Sequence, residues 1–304
     1  MINKIKKFLG DPYYVLGNYM MKHCPKLMPD RYFLKVKWKR CMGYELALDC
    51  PETFNEKLQW LKLYDRKPIY TTMVDKLRAK QWIADRIGEQ YVIPTLAVYD
   101  SVDKIDLDML PDKFVLKCNH DCGSVVICKD KSTFDIDLAK KKLGEALKKN
   151  YYWNSREWPY KNVKRCVFAE KYLEEQGMEA PADYKFYCFA GEPRLFYVTS
   201  DKGGDLPVRQ DFFDIKGSHL EIQDKHYSNN PKMVPNLPMD LAEMVVLCRQ
   251  LSDGIPHLRV DFYELNKTIY IGELTLYEAA GFCEFKPDKY NKILGDWIKL
   301  PTDK

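Results

Sequence analysis

A hairpin-like segment around Lys267 constrains the fold more than any other feature of the sequence. Apolar side chains recur at every second position on both sides of it, which is the period of a β-strand with one buried face. If the turn centres near Lys267, antiparallel pairing sets Asp261 opposite Glu273. The same register sets Arg259 opposite Thr275, on the same face. We therefore predict a hairpin whose apolar face meets the core and whose polar face carries these four residues.

The opposed carboxylates indicate a bound cation. Directly opposed side chains have β-carbons about 4.5–5.5 Å apart, and two carboxylates that close repel unless a cation lies between them or one is protonated. Oxygen ligands of this kind suit Mg²⁺, which takes its other ligands from water and nucleotide phosphates. Arg259 beside them matches a phosphoryl group. Two alternatives use the same residues: a surface hairpin in which Arg259 and the acids pair with one another, and a retaining glycosidase, whose two carboxyl groups are about 5 Å apart.

Composition limits the class of protein. The chain has 304 residues, 46% of them apolar and 30% charged, and no apolar run approaches the roughly 18 residues of a membrane-spanning helix. The basic start runs into polar sequence without the apolar stretch of a secretory signal. We therefore expect a soluble cytoplasmic protein, with no transmembrane segment, of one large or two ordinary domains.

The cysteines do not form a recognisable framework. Ten are scattered along the chain without a Cys-x-x-Cys pair, which favours reduced thiols over a disulfide scaffold. One group contains zinc-type ligands, and its members are Cys118, His120, Cys122 and Cys128. Their spacings of 2, 2 and 6 positions match no common structural zinc site. We therefore predict no zinc.

Positive charge is concentrated at the start of the chain. The net charge of the whole sequence is +4, yet residues 1–50 hold ten Lys and Arg against four acids and so carry +6. We interpret residues 1–50 as a basic helical extension. Its charge forms either an ordinary solvated face or a surface for an anionic membrane or nucleic acid.

Local patterns place helices and strands along the rest of the chain. Thr53-Phe-Asn-Glu56 is a capping box that predicts a helix start at 52–54, and a second helix is expected from about Thr72, with Asp75 in its first turn and Gly88 at its end. The predicted strands are a hairpin over 113–118 and 124–128, then strands near 165–172, 183–190 and 194–200. An amphipathic helix after the first hairpin is expected to bury Leu138, Ala139, Leu143, Ala146 and Leu147. The remaining predictions are a helix over about 238–251 and surface loops at 174–182 and 201–205.

Six strings stand in a characteristic order along the chain. They are Phe54-Asn-Glu-Lys-Leu-Gln-Trp60, Leu116-Lys-Cys-Asn-His120, Glu170-Lys-Tyr-Leu173, Asp183-Tyr-Lys-Phe186 with Gly191, Arg259-Val-Asp-Phe262 and Gly272-Glu-Leu-Thr275. In this order they resemble the ATP-grasp superfamily, and in particular its TupA-like (teichuronopeptide-biosynthesis-like) branch among bacterial surface-polysaccharide proteins. The resemblance spans about residues 50 to 285.

The resemblance implies an α+β fold in which two α+β subdomains clasp ATP, preceded by a helical N-terminal extension. The chain then divides into four parts. They are the basic helical extension at 1–50, the N-terminal part of the ATP-grasp unit at 51–110, a small nucleotide-lid subdomain at 111–170 and a large subdomain with the metal site at 171–304.

The resemblance also implies roles for individual residues. Those implied for ATP are Lys80, with Lys76 as the alternative, and Lys117, His120, Gly123, Ser124, Glu170, Lys171, Tyr172, Leu173 and Asp183; those for the metal are Asp261, Glu273 and Thr275; and the catalytic pair is Arg259 and Lys185. His120 either contacts phosphate or caps its loop. Thr275 stands where many ATP-grasp enzymes have asparagine, which leaves one or two Mg²⁺ ions as alternatives.

The implied function is an ATP- and Mg²⁺-dependent carboxylate–amine ligase that acts through an acyl phosphate. Its expected substrates are an amino acid and a uronic acid of a surface polysaccharide or its precursor, and we expect residues 1–50 to contact anionic lipid at the inner membrane face rather than nucleic acid. One alternative is a glycosyltransferase of a capsular or exopolysaccharide pathway, with its metal at Asp106-Leu-Asp108 or Asp135-Ile-Asp137. Another is a non-catalytic scaffold at the membrane surface.

Overall fold

A computed structural model describes residues 12–174, 182–200, 207–229 and 235–301. The predicted surface loops at 174–182 and 201–205 lie almost entirely outside these ranges, as does the start of the basic segment. The helices are α1 (Pro12–His23), α2 (Asp30–Met42), α3 (Phe54–Tyr64), α4 (Ile69–Val74), α5 (Lys76–Ile87), α6 (Ile136–Leu147), α7 (Tyr152–Ser155), α8 (Leu241–Ser252) and α9 (Lys289–Trp297). The strands are β1 (Thr95–Tyr99), β2 (Phe114–Cys118), β3 (Val125–Cys128), β4 (Val167–Lys171), β5 (Ala182–Phe189), β6 (Glu192–Ser200), β7 (Arg209–Asp214), β8 (Gln223–Asp224), β9 (Leu258–Leu265), β10 (Thr268–Thr275) and β11 (Phe285–Lys286).

Two antiparallel sheets organise the described residues. The small sheet has the strand order β1-β4-β2-β3, and the large sheet has the order β10-β9-β5-β6-β7. Each sheet has its own apolar core, with α6 packed on the small sheet and the helices α2, α3 and α8 packed on the large one. This arrangement confirms the expected α+β class. Because β1 pairs with β4, the small sheet begins upstream of the expected boundary at residue 111.

The basic N-terminal segment is helical where it is described, and α2 is part of the main core. Leu34 and Trp38 of this helix are completely buried among residues of the large sheet and α3. The buried guanidinium of Arg156 fixes the helix start, since its Nη2 donates to the Met28 carbonyl at 3.2 Å and its Nε lies 3.1 Å from an Asp30 oxygen. The second half of the segment is therefore a structural element rather than a detached tail.

Two local predictions around the first helices have different outcomes. The capping box is confirmed: Thr53 and Glu56 each accept the other's backbone N–H, and α3 begins at residue 54. The prediction of a single helix from about Thr72 is wrong, because the helix is interrupted at Asp75, with α4 before it and α5 after it. Asp75 is the N-cap of α5 and accepts the backbone N–H groups of the next turn, which is the usual preference of a short acidic side chain.

The amphipathic helix α6 follows the first hairpin as predicted, but one residue expected in the core points outward. Ala139 and Leu143 are buried against the small sheet, whereas Leu138 is 63% exposed. The prediction for Leu138 is wrong because the helix buries a narrower face than its apolar residues suggest. Within the described ranges, no helix has the length and apolarity to cross a membrane.

Candidate functional site

The hairpin of β9 and β10 has the predicted pairing at its far end. Asp261 is paired with Glu273, and Arg259 is paired with Thr275. These residues occupy the face opposite the buried apolar residues of the same strands. The neighbouring strand β5 brings Lys185 directly beside Asp261.

A β-bulge at Gly272 produces this register. The turn is the pair Asn266-Lys267, both at positive φ (49° and 63°), so the pairs next to the turn are one position out of the predicted register. The extra residue between Ile271 and Glu273 corrects the offset. Without it, strict alternation would point Glu273 at the core.

Arg259 ties three carboxylates together. Its Nε and Nη2 donate to both oxygens of Asp261 at 2.6 and 2.8 Å, and its Nη1 donates to Glu278 at 2.6 Å. Nη2 also lies 3.3 Å from Glu273. Burial lowers the pKa of Arg259, but these carboxylates outweigh it and hold that pKa well above its usual value. The guanidinium expected on a phosphoryl group is thus engaged by the protein's own acids.

Two lysines complete this first cluster. Lys185 pairs with Asp261 and, at 3.0 Å, with Asp183. Lys76, at the start of α5, pairs with Glu273 at 3.0 Å. Burial raises the pKa of Glu273, but the charges of Lys76 and Arg259 prevail and lower it to about 2. The carboxylate is therefore ionised, as a metal ligand must be.

A second cluster centres on Glu170 in the small sheet. This carboxylate is 4% exposed and pairs with Lys117 on β2 and, at 3.0 Å, with Lys80 on α5. Burial raises the pKa of Glu170, but the two lysines together lower it below its ordinary value. Burial also lowers the pKa of Lys80 by more than Glu170 restores. Lys76 and Lys80 are one helical turn apart, so α5 contributes one lysine to each cluster.

The loop between β2 and β3 is held by Asn119 at its base and by Lys76, whose Nζ donates to the Asp121 carbonyl at 2.6 Å. The buried amide of Asn119 donates to Asp75 and to the Lys164 carbonyl, both at 2.9 Å. Gly123 at the tip has φ of +98°, which favours glycine, and a Cβ there would meet nothing within 4 Å. Ser124 donates to Asp121. The tip is thus accessible while its base is fixed to the start of α5.

His120 points away from this loop's open side. Its ring is 2% exposed, and Nε2 lies 3.2 Å from the Ala146 carbonyl and 3.1 Å from the Lys149 carbonyl, at the end of α6. Of the two roles left open for His120, the geometry favours the structural one. Carbonyls at a helix C-terminus carry partial negative charge and attract such a ring N–H.

The expected nucleotide residues after Glu170 lie at the end of β4. The backbone N–H of Lys171 donates to the Pro94 carbonyl at 3.0 Å, and the side chain is exposed. Tyr172 and Leu173 follow it and are half-buried. Asp183, also expected to bind ATP, lies in the first cluster beside Lys185 and is 3% exposed.

Members of both clusters line one cleft between α5, the small sheet and β10. Apolar walls come from residues such as Ile93, Phe168 and Leu274, and the polar lining includes Lys76, Lys80, Lys117, Glu170 and Glu273. The cavity that the ion pairs leave between them is about 30 Å³. That volume holds a water molecule or two, so a larger ligand must displace these pairs.

Asp261 and Glu273 have the donor chemistry of a Mg²⁺ site, because two ionised carboxylates face each other from neighbouring strands. Every oxygen of the pair has a cationic partner, which supplies the positive charge that a metal would bring. The described residues contain no group of three or more His, Cys, Asp or Glu able to hold a metal by themselves. The residues therefore fit an ion that takes further oxygens from Thr275, water or a bound phosphate.

The residues of the alternative glycosyltransferase and zinc motifs make local structural hydrogen bonds. Asp135 caps α6 by accepting from the Leu138 N–H at 2.9 Å, and Asp106 accepts from the Asp108 N–H at 3.0 Å in a turn. All ten cysteines fall within the described ranges and are free thiols. Cys118 donates to the Leu143 carbonyl and Cys128 to the Asp112 carbonyl, so neither faces the supposed zinc group.

No role in the site was predicted for two residues beside the carboxylates of the first cluster. Glu278 follows the hairpin in an irregular segment where Ala279 and Ala280 have positive φ, so no periodic pattern marks it. Tyr263 lies on the face of Asp261, two positions along β9, and its ring packs over Gly272. Strand alternation places Tyr263 on the same face as Asp261 and so could have identified it.

The sequence model of TupA-like ATP-grasp proteins matches residues 56–299, which include both clusters and the cleft. The chain belongs to the TupA-like ATP-grasp family. The match leaves α1 and α2 outside, in agreement with an N-terminal extension that precedes the ATP-grasp unit. No curated protein matches the sequence.

Solved structures similar to this TupA-like chain are distant. D-cycloserine synthetase DcsG is 14% identical with a TM-score of 0.44, over 86% of this chain and 81% of that one. A RimK domain ATP-grasp protein from Sphaerobacter thermophilus is 12% identical with a TM-score of 0.41, over 89% and 96%. D-alanine–D-alanine ligase from Bacillus anthracis is 20% identical with a TM-score of 0.39, over 75% of this chain but only 63% of the length of that enzyme. At these values the similarity adds nothing to the family assignment.

Proposed function

We propose that this TupA-like chain is an ATP- and Mg²⁺-dependent ligase that joins a carboxylate to an amine through an acyl phosphate. One observation carries the proposal: the same cleft is lined by Glu170, a carboxylate bound by two lysines, and by Glu273, which is paired across the hairpin with Asp261. A triphosphate with its metal is complementary to this arrangement, because lysines would bind its anionic oxygens and carboxylates would bind its cation.

The residues divide the work by position. Lys80 and Lys117 bind the phosphates when these replace Glu170 as their partner. Asp261 and Glu273, with Thr275 on the same face, hold Mg²⁺, which when bound neutralises charge on the transferred phosphoryl group. Arg259 orients Asp261 through its two-pronged contact, and its own approach to the phosphoryl group stays a prediction.

The proposed chemistry needs alignment and charge neutralisation rather than a nucleophilic side chain. The acid oxygen of one substrate attacks the terminal phosphorus of ATP, and the bond to ADP breaks. The amine, in its neutral form, then attacks the acyl carbon, and the C–N bond forms. Phosphate leaves with the electrons of the C–O bond, and the nitrogen releases one proton to the departing phosphate or to water. Lys185, held between Asp183 and Asp261, lies beside the metal ligands and stabilises negative charge there.

The substrates rest on the family alone, since a fold does not specify them. We infer an amino acid as the amine and a uronic acid of a surface polysaccharide or its precursor as the acid, in the cytoplasm and near the inner membrane face. Within the described part of the basic segment, Arg31 and Lys39 are engaged by Asp49 and Glu45. Exposed basic residues such as Arg40 are left to contact anionic lipid.

Calorimetric ATP binding with and without Mg²⁺ tests the site. In the wild type, Mg²⁺ is expected to increase ATP affinity, and Asp261→Asn is expected to reduce that increase by at least about tenfold, because even indirect metal partners cost 10–100-fold. The matched control is Asp137→Asn, an exposed carboxylate in the alternative glycosyltransferase motif. Equal effects of Mg²⁺ on wild type and Asp261→Asn would contradict the proposal, and a loss confined to Asp137→Asn would favour the glycosyltransferase. Phosphate release with D-glucuronate and single amino acids then tests the substrates.

A further inference from the structure

A buried carboxylate beside the first cluster has no partner. Glu157, which follows α7, is 5% exposed and makes no hydrogen bond or ion pair through its side chain with any described residue. Neither of its oxygens is sealed from solvent, since neither is among the fully enclosed polar atoms without partners. A desolvated carboxylate in this state is costly unless a donor, a cation or a proton reaches it.

Burial raises the pKa of Glu157 and the charges of the nearby cations Lys62 and Lys37 lower it, but neither lysine makes a hydrogen bond or ion pair with it. Lys62 is completely buried, and its three ammonium hydrogens are used by the Ser155 carbonyl at 3.0 Å, the Ala280 carbonyl at 2.7 Å and a neighbouring glutamine side chain at 3.0 Å. Lys37 donates to the Asn154 carbonyl at 2.5 Å and to a serine hydroxyl at 2.6 Å. Both lysines hold backbone in place, so the carboxylate keeps unused acceptor capacity.

Tyr151 and Tyr160 lie near Glu157: burial chiefly raises the pKa of both tyrosines, and the charge of Glu157 raises it further. We refer to these three side chains together as the recess. The rings of Tyr151 and Tyr160 meet edge to face with centroids 4.9 Å apart. Neither hydroxyl has a hydrogen-bond partner among the described residues, and both side chains are half-buried. The recess therefore offers one carboxylate, two hydroxyl groups and aromatic surface, with no hydrogen bond made between them.

This recess borders the first cluster. Lys62 joins the segment of Glu157 to Ala280, which is two residues after Glu278, the partner of Arg259. The helix α4 packs against both the turn at Trp158–Asn162 and strand β10. The electrostatics agree: burial chiefly raises the pKa of Tyr160, and the charges of Glu157 and Glu273 raise it further.

We propose that Glu157, with Tyr151 and Tyr160, binds the ammonium group of the amine substrate, an inference that rests on the proposed ligase function. An ammonium group supplies N–H donors and a positive charge to the unpartnered carboxylate, and tyrosine rings favour a cation nearby. A carboxylate or phosphate would be repelled by the same residues. Bound there, the amine nitrogen lies on the metal side of the cleft, where an acyl group would be presented.

Ligand-observed NMR with the full chain tests the recess. The probe is an equimolar pool of the twenty common amino acids, and the matched probe is the same pool N-acetylated, which removes the ammonium charge. We expect at least one amino acid to bind the wild type, no N-acetyl counterpart to bind, and Glu157→Gln to weaken binding about tenfold or more. Glu157→Asp keeps the charge and should retain part of the affinity. Glu264→Gln removes another carboxylate, 8% exposed and bonded to the Met239 N–H, and should have no effect.

The outcomes separate the recess from the ligase. Absence of any amino-acid signal in the wild type, equal binding of the N-acetyl pool, or equal binding by Glu157→Gln would each overturn the ammonium site. Mg²⁺-dependent ATP binding on the same samples provides the second readout, and Glu157→Gln is expected to leave it unchanged if the variant is folded. A wild type that binds no ATP with Mg²⁺ refutes the ligase itself. Normal ATP binding together with unaltered amino-acid binding in Glu157→Gln refutes only the recess.

Discussion

Replacing Gly272 with alanine tests whether the β-bulge is what aims Glu273 at the cleft. A Cβ at this position would lie 2.7 Å from Cε2 of Tyr263 and 3.2 Å from two further atoms of its ring. Ordinary Cβ contacts begin at about 3.4 Å, so the ring or the bulge must move. Because the bulge sets the register of β10, a backbone shift displaces Glu273 from its position opposite Asp261.

The size of the effect follows from the overlap. Forcing an extra methyl group into a packed position costs about 1–3 kcal/mol. If the site bears that strain, the affinity for ATP in the presence of Mg²⁺ falls roughly 5- to 150-fold. Calorimetric titration with ATP and Mg²⁺ measures this loss, and the melting temperature reports how much of the strain the whole fold absorbs.

Two further variants test whether the clash with the Tyr263 ring causes the loss of affinity. Gly144→Ala is the control. Gly144 lies inside α6, and a Cβ there would be 3.6 Å from Val102, which is an ordinary contact. This substitution is expected to leave the stability of the fold unchanged or to raise it by up to about 1 kcal/mol. Tyr263→Ala removes the clashing ring, so Gly272→Ala should have little further effect in that background. An equal loss of affinity with and without the ring, or no loss in either background, would refute this account of the bulge.

Two other expectations follow from the ion pairs and the buried acid. Lys76→Met should lower the Mg²⁺ concentration that half-saturates ATP binding by about fivefold, because it removes a cation that competes for Glu273 at a cost on the order of 1 kcal/mol. Lys80→Met, whose partner is Glu170, should leave that concentration unchanged, and the reverse pattern in the titrations would exchange the two roles. Desolvation raises the pKa of Glu157 from 4.5 to about 7, so its contribution to stability is fully present below about pH 4.5 and is lost as pH rises through about 7. Glu157→Gln should therefore raise the melting temperature relative to wild type more at pH 7.5 than at pH 5, and a pH-independent difference would contradict this.

In the hairpin, strand alternation predicted the pairing of the site residues but not the turn and the bulge that produce it. The pairing of Asp261 with Glu273 follows from a turn placed near Lys267, yet the actual two-residue turn and the bulge at Gly272 introduce opposite offsets that cancel. The bulge had a signal in the sequence. The apolar residues occupy odd positions before Gly272 and even positions after it, and such a change of parity within one strand indicates an inserted residue.

Other parts of the site could not be derived from local pattern. The contacts of Lys76 with Glu273 and of Lys62 with the Ala280 carbonyl join residues roughly two hundred positions apart, and only the packing of α3 and α5 against the large sheet brings them together. His120 had two plausible roles by sequence, and the position of the α6 C-terminus distinguishes them. Residue type predicts what a side chain can bind, whereas tertiary packing selects its partner.

The balance of charge in the cleft constrains how its ligands arrive. The two clusters contain as many cations as carboxylates. The cations are Lys76, Lys80, Lys117, Lys185 and Arg259, and the carboxylates are Glu170, Asp183, Asp261, Glu273 and Glu278. A nucleotide alone would take the lysines and strand buried carboxylates next to its own negative charges, which is costly. Mg²⁺ alone would compete with Lys76 for Glu273 without phosphate oxygens to complete its coordination. If both bound together, each protein charge would exchange one partner for another, so the proposed ligase should bind the Mg²⁺–nucleotide complex in preference to either component.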